Sequence, residues 1–228
     1  MKIVILAAGI GSRLGSPLPK PLTPLSTGKT ILQHQVDNLT RFFSLHDISI
    51  VVGFKKDLIM EAFPDLTYIY NQHFDQTNTS QSLVKALKKY ADQGVMWLNG
   101  DVVFDERILN KIIPAIEADR SFVCVNKEHV GEEEVKYTVD EKGDIAQLSK
   151  TVQNGLGEAI GINHISSSDV KTLIRYLEMC DLQDYFEKGL EMCIAREGMK
   201  VSPMDISEFY CLEIDFQDDL TKANTFFK

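Results

Sequence analysis

Glycines and basic residues follow the first apolar run of the chain. Residues 2–7 (KIVILA) are almost continuously apolar, and Gly9, Gly11, Arg13 and Lys20 come soon after them. Glycines let backbone N–H groups approach phosphate oxygens closely, while arginine and lysine add positive charge beside them. Because ligands collect at the carboxyl ends of the strands in an open α/β sheet, this stretch predicts a phosphate-binding loop.

Two aspartates stand at the ends of short apolar segments that are far apart in the sequence. Asp101 follows residues 95–98, and Asp215 follows residues 212–214, just before a helical segment. Alone, Asp101 could serve only as the cap of the next helix. Two carboxylates that meet at one sheet edge can instead hold a hard cation that bridges phosphate oxygens.

Two other phosphate-binding loops do not fit the glycine stretch. A Walker A loop requires GxxxxGK[ST], and this pattern is absent. A dinucleotide-binding fingerprint requires GxGxxG, but Leu14 occupies the third glycine position and Gly15 comes one residue late. A proline-interrupted stretch also follows where that fingerprint needs a helix. The loop is therefore of another kind.

Residues 6–14 (LAAGIGSRL) and the later Pro19-Lys20 pair resemble the LAAGxGxR…PK signature of the nucleotidyltransferases with a doubly wound sheet. In that family the loop amides and the arginine hold the NTP triphosphate, and the lysine contacts the α-phosphate region. The resemblance implies catalytic roles for Arg13 and Lys20. The nucleotide-binding residues that it implies in the loop are Leu6, Ala7, Ala8, Gly9, Gly11 and Ser12. The short gap between Arg13 and Lys20 favours the small cytidylyltransferases over the sugar-phosphate enzymes.

The same resemblance implies a metal pair and an acceptor site. Asp101 and Asp215 match the magnesium ligands of the family. The spacing around Lys150 and the GE-x-x-G stretch at 157–161 is similar to that of bacterial phosphocholine cytidylyltransferases, which implies that Lys150 is a catalytic ligand of the acceptor phosphate. Glu158 and Lys136 are implied as further acceptor-binding residues. The alternatives are solvated surface lysines and a structural ion pair for the glutamate.

A polar segment at 71–83 separates a predicted strand from a predicted helix. Related cytidylyltransferases carry Asn-x-x-x-Ser-Leu here, matched by Asn78 and by residues 82–83. In the family this region contacts the base and the acceptor, so Asn78 and Ser80 are implied as nucleotide-binding residues. Helix capping by Thr79 or Ser80 is the structural alternative.

Short apolar runs alternate with helical spacing through the first 125 residues. The alternation predicts an α/β fold with a doubly wound, mainly parallel (Rossmann-like) sheet. Extended segments at 135–140, 145–148 and 157–165 predict a small antiparallel insertion in the second half, and later strands are expected near 201 and at 212–214. We interpret 1–228 as one nucleotidyltransferase domain, with an NTP-binding half at 1–125. Residues 126–228 would form the acceptor-binding half and a closing helix.

Composition limits the classes of partner. A net charge of −9 argues against nucleic acid and membrane surfaces. The absence of a leader or an 18-residue apolar stretch predicts a cytoplasmic protein without membrane insertion. Four scattered cysteines without a CxxC pair predict reduced thiols. Oligomeric state stays open.

The expected reaction is Mg²⁺-dependent transfer of CMP from CTP, or of the corresponding group from another NTP, to a small phosphorylated acceptor, with release of pyrophosphate. Phosphocholine, phosphoethanolamine and 2-aminoethylphosphonate are the expected acceptor types. A quaternary ammonium would need an aromatic cage, whereas a simpler amine would need acidic partners such as Glu158 or Asp205. The alternatives are a sugar-1-phosphate nucleotidylyltransferase, a polyol-phosphate cytidylyltransferase and a non-catalytic nucleotide-binding module.

Overall fold

Continuous apolar runs become strands that are buried on both faces of a parallel sheet, as their composition requires. The computed structural model describes residues 1–128, 130–131 and 134–226. Its parallel strands in the first half are β1 (Lys2–Ala7), β2 (Ile48–Val52), β3 (Thr67–Tyr70) and β4 (Val95–Asn99). They lie in the order β3-β2-β1-β4. The predicted strand at residues 2–7 and the predicted alternation of strands with helices are confirmed.

Helices cover both faces of this sheet. They are α1 (Ile31–Thr40), α2 (Lys56–Ala62), α3 (Thr79–Lys89), α4 (Arg107–Glu117), α5 (Val170–Leu177), α6 (Phe186–Glu197) and α7 (Gln217–Phe226). Successive residues of β1 point to opposite faces. Val4 and Leu6 join a core cluster with α3, α5 and α6, whereas Ile3 and Ile5 join one with α1, α2 and α4. The predicted doubly wound architecture is confirmed.

The remaining strands are β5 (Val102–Phe104), β6 (Phe122–Asn126), β7 (Lys136–Val139), β8 (Ile145–Ser149), β9 (Glu158–Ile165), β10 (Ser202–Asp205) and β11 (Cys211–Glu213). Strands β7 and β8 form the predicted antiparallel hairpin. Strand β9 differs from the prediction, because it lies in the central sheet, antiparallel between β4 and β6. Its burial by neighbours on both faces could not be read from its sequence.

A second, smaller sheet stands at the carboxyl end of β4. Strand β11 pairs antiparallel with β5, from Cys211 opposite Phe104 to Glu213 opposite Val102. The sequence predicted a late strand here but no strand at 102–104, because three residues after a two-residue turn carry too little pattern. This pair is what brings the 211–215 segment back to the end of β4.

Apolar side chains of the described residues are used for the core. Trp97 is fully buried and packs edge-on against Phe186, with ring centroids 5.4 Å apart. Trp97 is therefore part of the core. Within the described ranges, no helix has both the length and the apolar character needed to cross a bilayer. All four cysteines are free thiols, as expected.

Candidate active site

A cleft of about 670 Å³ opens at the carboxyl ends of β1 and β4. It is the place that the topology of an open α/β sheet favours for a ligand. Most of the residues singled out from the sequence meet there. Those that line the cleft are Leu6, Ala7, Gly9, Gly11, Arg13, Lys20, Asn78, Asp101, Lys150, Glu158 and Asp215.

Three predicted residues lie outside the cleft lining. Ala8 is 4% exposed, and Ser80 is fully buried in the first turn of α3, where its hydroxyl has no hydrogen-bond partner among the described residues. Lys136 begins β7 beside Glu158 in the sheet register but does not line the cleft. The side chain of Ser12 is outside the part of the chain that the structure describes, so its role stays a prediction; its backbone begins the short 3-10 turn at Ser12–Leu14. A polar segment or a charged strand in the sequence indicates the region of a binding site. Which of its side chains line the cleft depends on the fold.

The glycine loop leaves room for a ligand and fits closely against the protein at its far side. A Cβ added at Gly9 would have no protein atom within 4 Å. Gly11 has a φ of +65°, and a Cβ there would lie 2.9 Å from Lys20 Cβ. Glycine is therefore required at position 11 by backbone conformation and by close packing, whereas Gly9 keeps open space in the cleft.

Lys20 lies between the two predicted metal ligands. Its Nζ is 2.8 Å from Asp101 Oδ2 and 2.6 Å from Asp215 Oδ1, and its side chain is only 10% exposed. Burial acts to lower the pKa of Lys20, but the two carboxylates outweigh it and the pKa is raised. Arg13 Nη1 is 3.1 Å from the other oxygen of Asp215. Two cations thus share two anions at the mouth of the glycine loop.

Backbone and amide contacts hold this arrangement in place. Gln35 Nε2 donates to the carbonyls of Asn99 (2.8 Å) and Val102 (2.7 Å), on either side of Asp101. A Cβ at Gly100 would lie 2.8 Å from the carbonyl oxygen of Leu6, so the turn that carries Asp101 sits directly on β1.

Asp219 was not predicted from the sequence, and it holds the backbone segment that carries Asp215. Its Oδ2 accepts hydrogen bonds from the backbone N–H groups of Asp215 (3.2 Å) and Phe216 (2.9 Å) at the start of α7. A carboxylate four residues after a candidate ligand, at a helix N-terminus, is the signal that could have indicated it.

The donor set at Asp101 and Asp215 suits magnesium. Asp101 Oδ1 is buried and has no hydrogen-bond partner among the described residues, so an acceptor atom is left for a further ligand. Within those same residues no cluster of three or more His, Cys, Asp or Glu side chains could hold a metal. Mg²⁺ commonly takes one or two carboxylates and completes its shell with water and substrate phosphates. The pair therefore fits a substrate-bound cation better than a structural one.

The cleft is also lined by Lys150 and by the carboxylates of Glu134, Glu158 and Glu187. Lys150 Nζ lies 4.9 Å from the centre of the Tyr185 ring. Glu158 Oε2 accepts a hydrogen bond from the backbone N–H of Gly131 at 3.0 Å. Of these carboxylates, Glu134 and Glu187 were not predicted from the sequence. Burial raises the pKa of both, and raises that of Glu187 to about 7.

Glu213 is a further carboxylate of the cleft lining that was not predicted from the sequence. Glu213 Oε1 accepts a hydrogen bond from Asn99 Nδ2 at 3.1 Å. A Cβ at Gly161 would come within 2.5 Å of that same oxygen, so β9 passes directly over it. Burial, together with the charge of Asp101, raises the pKa of Glu213 well above its usual value. Its position two residues before Asp215 was its only sequence signal.

Asn78 has a structural role as well as a place in the cleft. It is the N-cap of α3, and its Oδ1 accepts from the N–H of Thr79 at 2.8 Å. The expectation that Thr79 or Ser80 would cap is therefore wrong. Asp205, the last residue of β10, is not among the cleft residues. Its carboxylate pairs with Lys127 at 2.9 Å and accepts a hydrogen bond from the Ser207 hydroxyl.

Comparisons with known proteins show the family of the chain. Residues 3–164 match the MobA-like NTP transferase domain. The chain is 36% identical over 127 residues to the CMP-5'-(3-aminopropyl)phosphonate synthase of Streptomyces rubellomurinus, covering 52% of this chain and 20% of that protein. It is 34% identical over 114 residues to the bifunctional protein GlmU of Methanococcus maripaludis, covering 47% and 26%. The matches therefore span only about a quarter or less of these curated relatives.

Solved structures with low sequence identity share the fold. The CTP:phosphocholine cytidylyltransferase LicC of Streptococcus pneumoniae aligns over 100% of this chain and 99% of its own, with a TM-score of 0.78 and 18% identity. The inositol-1-phosphate CTP transferase of T. maritima aligns over 96% and 90%, with a TM-score of 0.77 and 17% identity. These likenesses confirm the predicted fold class, and the family match confirms the predicted resemblance to nucleotidyltransferases.

Proposed function

This chain belongs to the MobA-like NTP transferase domain family, and we propose that it transfers CMP from CTP to a small amine-bearing phosphate or phosphonate acceptor, releasing pyrophosphate. One observation carries the proposal. A single cleft is lined by Arg13, Lys20 and two candidate metal ligands, and also by Lys150 with several glutamates. The first group suits a triphosphate, and the second suits an acceptor that is anionic at one end and cationic at the other.

The reaction would be an in-line displacement. An oxygen of the acceptor phosphate or phosphonate attacks the α-phosphorus of CTP, the new P–O bond forms, and the bond to the pyrophosphate oxygen breaks. The acceptor oxygen is already anionic, so no general base is needed. The protein has to hold two anions close together and stabilise the charge that accumulates on the phosphorus oxygens.

Each charged residue would have a separate part in that task. Arg13 and Lys20 would bind the triphosphate and stabilise charge on it, and Lys150 would bind the acceptor phosphate. Asp101 and Asp215 would hold Mg²⁺, which when bound supplies further neutralisation of the triphosphate. Lys20 now contacts both carboxylates, so it is within reach of whatever binds between them and the glycine loop.

Cytosine and the amine are supported by different observations. Cytosine is supported by the likeness to the CMP-phosphonate synthase of Streptomyces rubellomurinus and to the fold of LicC. The amine is supported by Glu134, Glu158 and Glu187 in the acceptor wall, since one lysine cannot neutralise three carboxylates. A neutral sugar or polyol would leave this negative wall without a counter-charge. For that reason we place the sugar-1-phosphate and polyol-phosphate alternatives second.

The test is pyrophosphate release by the purified chain with Mg²⁺, using each of four NTPs against a panel of acceptors. The panel holds phosphocholine, phosphoethanolamine, 2-aminoethylphosphonate, glucose-1-phosphate and inositol-1-phosphate. We expect release with CTP and an amine-bearing acceptor. Release with UTP or dTTP and glucose-1-phosphate would overturn the proposed substrates while keeping the reaction type. Nucleotide binding without release from any pair would favour the binding-module alternative.

A further inference from the structure

Glu187 presents an unsatisfied carboxylate oxygen in the acceptor half of the cleft. The residue lies in the first turn of α6, directly after Tyr185 and Phe186, and all three line the cleft. Its Oε2 atom is enclosed and has no hydrogen-bond partner among the described residues. Leaving a buried polar oxygen unpaired costs about 1–3 kcal/mol. An oxygen in this state, in the wall of a ligand cleft, is suited to a ligand that donates a hydrogen bond.

Charges around Glu187 indicate the kind of donor. Lys150 is close enough to lower the pKa of Glu187, but burial dominates and the pKa is raised to about 7. The charge of Glu187 raises the pKa of Glu213, and the charge of Glu158 raises that of Glu134, so carboxylates that line this cleft repel one another. A cationic donor would relieve both the repulsion among these carboxylates and the missing hydrogen bond, whereas a neutral hydroxyl would relieve only the second.

The aromatic residues nearby do not form a free cage for a quaternary ammonium. The ring of Tyr185 is already in contact with Lys150, whose Nζ lies 4.9 Å from its centre. Phe186 is 1% exposed and packs edge-on against Trp97, which is itself fully buried. A trimethylammonium group also has no N–H to give to Glu187 Oε2. The wall is therefore built for hydrogen-bond donation more than for cation–π contact.

We propose that Glu187 accepts a hydrogen bond from a primary ammonium group of the acceptor and thereby selects primary amines over quaternary amines. This inference rests on the proposed function and narrows its acceptor class. Lys150 would bind the phosphate or phosphonate end, and Glu187 the ammonium end. Lys150 and Glu187 line the same cleft, so an acceptor with an anionic end and a cationic end, such as an aminoalkyl phosphonate or phosphate, could contact both.

The experiment compares acceptors that differ only in the amine. With CTP and Mg²⁺, kcat/KM is measured for 2-aminoethylphosphonate, for ethylphosphonate and for phosphocholine, with the wild type and with Glu187→Gln. We expect the wild type to prefer the primary amine over both others. The glutamine variant should lose about 10- to 100-fold on 2-aminoethylphosphonate, chiefly in KM, while ethylphosphonate and the KM for CTP stay unchanged.

Glu191→Gln is the matched control, because Glu191 lies one turn later on the same helix and pairs with Lys188 outside the cleft lining. It should behave as the wild type. Glu187→Ala gives a second test in case the glutamine amide finds another partner. An unchanged preference for the primary amine in both Glu187 variants would overturn the inference and leave the proposed function standing, as would a wild type that prefers phosphocholine. A wild type that transfers CMP to none of these acceptors would overturn both.

Discussion

The carbonyl of Asp101 accepts a hydrogen bond from the backbone N–H of Ile214 at 3.0 Å. This bond continues the β5–β11 ladder and joins the turn that carries one candidate metal ligand to the residue before the other, Asp215. The two carboxylates are thus brought together by backbone pairing as well as by their shared contact with Lys20. Side-chain substitutions here should therefore change chemistry more than structure.

Asp101→Asn should abolish most turnover while the chain stays folded. The amide keeps the size of the side chain and removes the negative charge that a cation needs, so kcat at saturating Mg²⁺ should fall about 100-fold or more. Asp105→Asn is a suitable control, since Asp105 pairs with the exposed Arg107. Pyrophosphate release and thermal melting are the measurements. Near-normal turnover in the Asp101 variant would remove this residue from the metal site.

Lys20→Met should separate the stability role of the lysine from its role in catalysis. Without the ammonium, Asp101 and Asp215 repel each other, so the variant should be about 1–3 kcal/mol less stable without Mg²⁺. Added Mg²⁺ should restore more stability to this variant than to the wild type. Turnover should stay about 100-fold low even then. The exposed Lys29, paired with Asp37, provides the Lys29→Met control. Equal Mg²⁺ responses in all three proteins would contradict this prediction.

Gly9→Ala and Gly100→Ala should fail in opposite ways. The added methyl at Gly9 meets no protein atom within 4 Å and enters the cleft, so stability should hold while the KM for CTP rises. At Gly100 the methyl would lie 2.8 Å from the Leu6 carbonyl oxygen and 3.2 Å from Pro21 Cγ, so the free energy of unfolding should fall by about 1–3 kcal/mol. Chemical denaturation and CTP kinetics measure the two effects. A destabilised Gly9→Ala variant with normal CTP kinetics would show that the loop does not face the nucleotide.

Preference for the amine should increase with pH through about 7. Burial raises the pKa of Glu187 to about 7, so its ionised fraction grows nearly tenfold per pH unit below that value. The charged groups that interact with Glu187 are Lys150 and Glu213. The ratio of kcat/KM for 2-aminoethylphosphonate to that for ethylphosphonate is divided by the same ratio for Glu187→Gln, because the titration of the two phosphonates themselves is common to both proteins. A flat ratio between pH 6 and 8, or a ratio in Glu187→Gln that follows the wild type, would contradict the prediction.

The same carboxylate should lower stability at high pH. A carboxyl group whose pKa is raised on folding binds its proton more tightly in the folded state, so it stabilises the fold at low pH. That contribution is lost as pH rises from about 4.5 through about 7. Glu187→Gln should therefore gain stability relative to the wild type over this window and keep the gain at pH 8. Parallel melting curves across the window would show that burial does not penalise the ionised carboxylate.

Local patterns predicted the parts of this protein that depend on neighbours in sequence. The strands β1, β2 and β3 follow from continuous apolar runs, and the glycine loop follows from residues within one turn. The carboxylates Glu134, Glu187 and Glu213 could not be predicted in this way. They come from three separate segments, and nothing in the sequence around each one shows which way it faces. For Ser80 the prediction failed in the opposite direction. Its polar segment suggested a ligand contact, but its position on α3 buries the side chain.

The antiparallel strand β9 has a consequence for how the chain is made. It inserts between β4 and β6, both of which leave the ribosome earlier, so the middle of the sheet stays open until synthesis has passed Ile165. A fragment ending at 125 would leave one edge of β4 and both edges of β6 unpaired, because their neighbours β9 and β10 come later in the chain. Chimeras that exchange acceptor preferences between relatives should therefore transplant β9 together with the β4 edge that receives it.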